Sequence, residues 1–383
     1  MGGGFHAVGQ RPIWGAAAVV LMLSIAGIAQ AAPPWYVDTE ERAVDRCGDC
    51  NCAVNYGGGY PDLNAAIEPP DFTWYAEADG WLLSRHEAGN LTYATLGPTK
   101  ANTVIESDDL DLEMSGGFRV VVGRTLGEYY RLEGLYFGSH NWDDTFGFRD
   151  LTPNSQGAAG NLFSPFTGFG NPAAVGVDFN FLASVRQSSD LDNVEINLRF
   201  RGPLRCGPIE VSTLIGVRYL RVTEEFEYLT MSQVPAALGT TNQSLTQTEN
   251  DLVGGTLGGM LNYYVSQSMQ IDVEVKGTLA ENDARQQTAF TNVDNAGVAQ
   301  TFNGTAREGS TALIGEVSVT YVYRFTPNVS FRLGYQAIWV DGLALADENF
   351  RPDTAILTAG PAQVDHNGTV TYHGPHMGFM VYW

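Results

Sequence analysis

Strict alternation of apolar and polar side chains over long segments is the feature that most limits what this chain can become. Val194, Ile196, Leu198 and Phe200 interleave with Glu195, Asn197 and Arg199, and Met269, Ile271, Val273, Val275 and Leu279 interleave with Gln270, Asp272, Glu274, Lys276 and Thr278. The same rhythm sets Leu313, Val317, Val319, Tyr321 and Tyr323 against Glu316, Ser318, Thr320 and Arg324, then Val329, Phe331, Leu333, Tyr335 and Trp339 against Ser330, Arg332 and Gln336. A helix would scatter these residues around its axis, whereas a strand sends successive side chains to opposite faces, so period two specifies β-structure.

Weaker segments of the same kind bring the expectation to about ten strands, near 72–84, 112–124, 128–138, 184–201, 209–223, 250–264, 267–281, 309–325, 328–341 and 369–383. Each reaches the roughly 9–11 residues that a tilted strand needs to cross a bilayer. Residues 174–185 also alternate, so a count of twelve is open. The sequence predicts that the end of this stretch joins the 184–201 strand and that the rest is loop. Tight links at Leu126–Gly127, Gly202–Pro208, Val265–Ser268 and Thr326–Pro327 take turns with links expected to run to about 20 residues or more. Short inner turns and long outer loops are the asymmetry of bacterial outer-membrane barrels.

A secreted β-sandwich would also have one apolar and one polar face. Strand length and the alternation of link length favour the barrel instead, as does an ending on Phe379, Val381 and Trp383 in a last alternating strand, the kind of terminal aromatic read by barrel-assembly machinery. The amino terminus supports export. Arg11 precedes an apolar run from Ala16 to Ile28, and Ala29-Gln30-Ala31 supplies the small-x-small pattern of a signal peptidase site, so residues 1–31 read as a cleaved signal peptide. Ala32 follows the cut, which rules out a lipoprotein cysteine there. Residues 32–71 are irregular, cysteine-bearing and expected on the periplasmic side, and residues 72–383 form the barrel.

With 43 Asp and Glu against 21 Lys and Arg, the net charge of -22 argues against nucleic acid as a partner. The excess gathers at Asp108, Asp109, Asp111 and Glu113, at Asp143 and Asp144, at Glu224, Glu225 and Glu227, and at Asp347 and Glu348, all expected in outer loops. These carboxylates could attract divalent cations, but no spacing matches a defined calcium loop, so no metal site is assigned. Cys47, Cys50, Cys52 and Cys206 meet an oxidising compartment, which makes them disulfide candidates whose pairing the sequence leaves open. Zinc is the alternative for the Cys47–Cys52 cluster, and no second ligand pair near Cys206 supports it.

Glu195-x-Asn197-x-Arg199, Gly216-x-Arg218-Tyr219-Leu220 and the Glu224–Glu225 pair, within the layout from Phe72 to the carboxyl end, resemble the seventh putative β-barrel porin family of planctomycete-type bacteria. The resemblance implies an outer-membrane barrel and names no solute, and Cys47–Cys52 lies outside it.

If the apolar face meets lipid, the lumen holds Glu77, Asp79, Glu133, Glu195, Asp272, Glu274 and Glu316 together with Arg119, Arg131, Arg199, Arg218, Lys276, Arg324 and Arg332. Roughly eight strands enclose a space that side chains fill, and only 16 or more leave a wide channel, so about ten imply a narrow or plugged interior. The charges there must pair, because an unpaired buried ion costs several kcal/mol. They either hold the barrel shut or form a constriction for small solutes. No Gly-x-Ser-x-Gly elbow or His-Glu-x-x-His motif is present. A dyad of His140 with Asp143 or Asp144 can be drawn on a loop, but a solvated histidine is the plainer reading, and neither enzyme activity nor a cofactor is expected. The expectation is therefore a porin-like outer-membrane barrel passing ions or small polar solutes, with a closed surface-display barrel as the alternative.

Overall fold

The computed structural model describes residues 73–383 apart from 88, 99–101, 111, 113, 128, 207, 235–239 and 353–362. The signal segment and Cys47, Cys50 and Cys52 lie outside the described residues. Ten long strands form a ring: β1 Trp74–Glu87, β4 Ser115–Leu126, β5 Tyr130–Arg149, β7 Asn180–Cys206, β8 Ile209–Ser232, β9 Thr241–Tyr264, β10 Met269–Val293, β11 Ala299–Thr326, β12 Val329–Leu343 and β13 Gly368–Tyr382. Each pairs antiparallel with its ring neighbours, and β1 pairs with β13 to close the sheet. At the seam the Trp74 amide donates to the Trp383 carbonyl at 3.0 Å and the Trp383 amide returns the bond at 3.0 Å. Short strands β2 Thr92–Leu96, β3 Thr103–Glu106 and β6 Leu162–Phe163 extend the sheet at the end with long connections. Among the described residues there is no α-helix; short turns of 3-10 helix include Ser107–Asp109 and Pro165–Thr167.

The outward face decides between barrel and sandwich. Leu257 and Leu279 are 65 % exposed, and Ile196, Ile215, Val217, Val253 and Val275 stand out beside them. In contrast, Arg218 is only 2 % exposed and points in. A single closed sheet, apolar outside and charged inside, needs a lipid solvent. On β10 the outward band runs from Met269 to Leu279; about ten rises of about 3.3 Å at a tilt of about 40° span about 25 Å, the height of an outer-membrane apolar belt.

Above Leu279 the pattern inverts. Glu281, Asp283 and Arg285 now face out while Ala280, Asn282 and Ala284 face in. Likewise Phe226 and Tyr228 of β8 are buried inside while Glu225 and Glu227 point out. These strands continue past the membrane, where water lies outside and packed protein inside. This is why two of the expected long loops are short: β8 and β9 are joined across 233–240, and β10 and β11 across 294–298. The acids Glu224, Glu225 and Glu227, and Asp143 and Asp144 of β5, are thus strand residues rather than loop residues. Residues 180–183 join β7, as expected of the end of the 174–185 stretch, and the ring count stays at ten.

Candidate functional site

The inward face of the membrane-spanning half is a set of ion pairs between strands. Toward the end with tight turns, Arg119 of β4 reaches Glu77 at 2.8 Å and Asp79 at 3.0 Å on β1, and Arg332 of β12 pairs with Glu77 and lies 3.6 Å from Asp79. Gly378 on the neighbouring β13 makes this possible. A Cβ there would meet the Asp79 Oδ1 at 2.4 Å and the Ala78 carbonyl oxygen at 2.0 Å, so any larger residue would occupy the place of the carboxylate.

Farther round the ring, Arg199 of β7 donates twice to Glu133 of β5, at 2.8 and 3.1 Å, and crosses to Glu274 of β10 at 2.7 Å. The Tyr75 hydroxyl donates to the same Glu133 at 2.6 Å. A third group joins Glu195 of β7 and Glu316 of β11 to Arg218 of β8, at 3.3 and 2.9 Å, and to Lys276 of β10, at 3.2 and 2.7 Å. Asn193 and Asn197 donate to Glu195, and Gln336 donates to Glu316 at 2.6 Å. Arginine forks suit this work because one planar group can serve two carboxylates. These side chains are between 0 and 13 % exposed, so solvent hardly reaches this height of the lumen.

The remaining expected lumen charges sit toward the rim. Asp272 accepts from Asn262 at 2.6 Å and from Gln270 at 2.5 Å. Arg131 lies over the Tyr75 ring at 5.8 Å, and Arg324 borders a hollow of about 10 Å³ beside the Tyr264–Gln270 turn. Neither arginine shares the cross-lumen pairs above. Period two gives the face of a residue but not its height.

Above the ions an apolar layer crosses the lumen, built from Leu83, Leu220, Leu252, Ile314, Val340 and Tyr372 with their neighbours. Beyond it the connection from β12 to β13 folds into the mouth. Ala344, Leu345 and Ala346 are fully buried and Phe350 is 7 % exposed. Asn250 of β9 holds the Ala344 amide and carbonyl at 2.8 and 2.9 Å, Asn282 of β10 donates to the Gly342 carbonyl at 2.9 Å, and Gln286 donates to the Asn349 carbonyl at 3.1 Å. Phe350 packs against Tyr93, Phe166, Phe226 and Tyr228.

Sequence reading missed the ion pair at this level. Arg85 of β1 pairs with Glu224 of β8, four places away round the ring, and with Glu87 at 2.7 Å. Arg85 continues the face of Glu77 and Asp79, so extending the first strand beyond residue 84 at the same period would have found it.

His140 is buried and stacks on Trp142 at 5.5 Å inside the barrel, whereas Asp143 faces out and pairs with Arg186 at 2.5 Å. The drawn dyad of His140 with Asp143 is therefore split between opposite faces of β5. Glu225 and Glu227 accept from Gln247 and Gln243 at 2.6 and 2.5 Å, and among the described residues no group of three His, Cys, Asp or Glu is placed to hold a metal ion. The backbone of Cys206 pairs with Ile209 at a tight turn on the same end of the barrel as the start of β1. Phe379 and Val381 face out to lipid at 53 and 42 % exposure, and Trp383 closes the seam.

Three solved structures illustrate what the chain resembles. The outer membrane protease OmpT from Escherichia coli aligns over 82 % of this chain and 97 % of its own, at 10 % identity and a TM-score of 0.45. The P. putida toluene transporter TodX covers 84 and 91 % at 11 % identity and 0.33, and a major outer membrane protein from Thermus thermophilus covers 81 and 99 % at 9 % identity and 0.29. Likenesses of this size bear on neither activity nor solute. No curated protein matches the sequence. The model of one family does match, over residues 83–381, most of the ring just described, and the chain accordingly belongs to the outer-membrane family Putative beta barrel porin-7.

Proposed function

We propose that this porin-like barrel admits ions or small polar solutes through its narrow lumen, with the ion-pair network as the constriction that must part for passage. One observation carries the reading: the inward faces of β1, β4, β5, β7, β8, β10, β11 and β12 converge on a continuous charged path through the lipid-spanning half. A dry structural core would have been cheaper to fill with apolar side chains, since buried ion pairs seldom out-stabilise them. Six carboxylates, Glu77, Asp79, Glu133, Glu195, Glu274 and Glu316, face five cations there, so weak charge selectivity is expected.

The filled interior favours a second reading, a closed barrel that displays its outer rim without transport. Planar bilayers discriminate. Stepwise conductance from the purified full-length chain, enlarged in an Arg218→Ser/Glu316→Ser variant, supports the porin-like reading. Silence in both, with folded protein verified by a heat-modifiable band, rejects it.

In either reading we place no catalysis on this chain. His140 is held inside between aromatic rings, and its Nδ1 faces the Ser115 carbonyl at 3.2 Å. The proposal extends to the ends of the chain: cleavage after Ala31, assembly through the Phe379, Val381 and Trp383 face, and a periplasmic disulfide between Cys206 and the Cys47–Cys52 segment. Divalent cations as outer partners stay within the proposal, as loosely held counter-ions of the net charge of -22.

A further inference from the structure

The segment that closes the outer mouth is seated on carboxylates. Glu224 accepts the Ala346 amide at 3.0 Å, so a carboxylate of β8 holds the backbone of the segment directly. Asp347, one residue on, is 3 % exposed and its Oδ1 has no hydrogen-bond partner. It faces Glu87 of β1, Glu224 of β8 and Tyr93 of β2. Glu348 lies between the backbones of Gly89 and Gly368 and faces Asp365, Glu87 and Glu224. Against these five acids stand Arg85, already paired with Glu87 and Glu224, and Arg351, 4.0 Å from Asp365. Tyr372 of β13 is the remaining titratable neighbour of Arg85. Most of the other seat contacts are neutral: Asn250, Asn282 and Gln286 below, aromatic rings above.

We propose that Ala344–Phe350 is a removable plug, seated when its own carboxylates, Asp347 and Glu348, are protonated and released as they ionise. An irregular segment held by side-chain amides from the wall can leave without unpairing a single ring strand. Charging the cluster works against seating, because more like charge is buried than one guanidinium neutralises.

The sign follows from the groups on the plug itself. Burial, then Asp365 and Glu87, push Glu348 from the ordinary 4.5 up to about 7, and burial, then Glu87 and Glu224, raise Asp347. Released into water, both return to the ordinary range. The seated state therefore binds more protons, is fully favoured in acid, and loses that advantage as pH climbs from about 4.5 through about 7. One such proton shifts the seating equilibrium by about tenfold per pH unit within that window.

This inference rests on the porin-like reading only for its electrical consequence, so the test reads both plug and current. Full-length Ala346→Cys protein in lipid vesicles is labelled with a bulky, membrane-impermeant maleimide from acid to mildly alkaline pH. Rates are normalised to a free thiol at each pH, with the wild-type chain as background for its own cysteines. The labelling rate is expected to rise at least about tenfold between about pH 5 and 8, and Asp347→Asn/Glu348→Gln in the same background is expected to abolish the rise. A flat rate, or a rise undiminished in the neutral variant, overturns the proposal. Should the double variant fail to give a heat-modifiable band, Glu348→Gln alone carries the test, since that side chain is half-buried and tolerant of change. Planar-bilayer currents from the same samples separate the two claims. A labelling rise with silent bilayers keeps the plug and rejects passage, whereas pH-independent currents with flat labelling reject the plug and keep passage.

Discussion

Lys276 and Glu195 meet at 3.2 Å although β10 and β7 stand three places apart in the ring, so their bond spans the lumen. The same ammonium lies 2.7 Å from Glu316 on β11, and one cation thus ties three walls together. Lys276→Met leaves two buried carboxylates to Arg218 alone. The expected cost is about 3–5 kcal/mol, read as a lower urea midpoint for the barrel in vesicles. Adding Glu195→Gln should return part of that loss; a double variant no better than the single would mean that the pair is uncoupled.

Two glycines on one strand should respond oppositely to the same methyl group. A Cβ at Gly258 would lie 2.8 Å from the Val275 carbonyl oxygen and 2.9 Å from the Lys276 Cγ, whereas at Gly255 nothing lies within 4 Å. Gly258→Ala should destabilise by about 1–3 kcal/mol through overpacking. Gly255→Ala should be neutral or stabilising by about 0.4–1 kcal/mol. Equal midpoints in urea would contradict the inward placement of Gly258.

The height of the lipid band is testable with one residue type. Leu257→Arg, on the outward face within the band, should cost about 2–4 kcal/mol of folding free energy in vesicles. Gln247→Arg, on the same face of the same strand but beside Glu225, lies past the inversion. It should change stability by less than about 1 kcal/mol. A large penalty at both positions would put the membrane boundary higher than the side-chain pattern does.

Asp150 organises the connection after β5 by accepting from the Thr152 amide and hydroxyl and from the Asn161 amide, at 2.9, 2.7 and 2.7 Å. Burial opposes its charge, but these bonds outweigh it and hold the carboxyl below the ordinary 3.8. The order it brings is therefore present above that value and lost as pH falls below it. Asp150→Ala should raise protease cutting within 150–161 at neutral pH, while acid alone should do so only well below pH 4; unchanged cutting in the variant would show that the connection is held elsewhere.

How much of this was legible in the sequence depends on what lies on each side of the wall. Val194–Phe200 reads at once because lipid demands apolar residues on one face and the lumen tolerates ions on the other. Past Leu220 the demand reverses, so Glu225, Phe226, Glu227 and Tyr228 keep the period but swap faces, and the strand looked finished at 223. In β5 a bulge between Phe137 and His140, with Ser139 at φ 63°, moves the inward face from odd to even positions and hides the continuation to Arg149. Parity alone assigns the lumen acids and bases to the inward face. Who pairs with whom across the ring, as Arg199 with Glu274, follows from shear and strand order, which no local pattern encodes. The inward plug is an irregular stretch whose anchors, Asn250 and Asn282, are far away in the chain, and no periodicity marks it.

The opposed faces of the ring also constrain how it can be made. A half-built sheet pushed into a bilayer would turn Glu195, Arg218, Lys276 and Glu316 toward acyl chains along its unsealed concave side, and the edges of β1 and β13 would offer bare amides to hydrocarbon. Threading unaccompanied hairpins into lipid is thus costly because of the charges they carry. Coupling penetration to sealing of the ring, at the junction where Trp74 and Trp383 exchange backbone hydrogen bonds, avoids that cost.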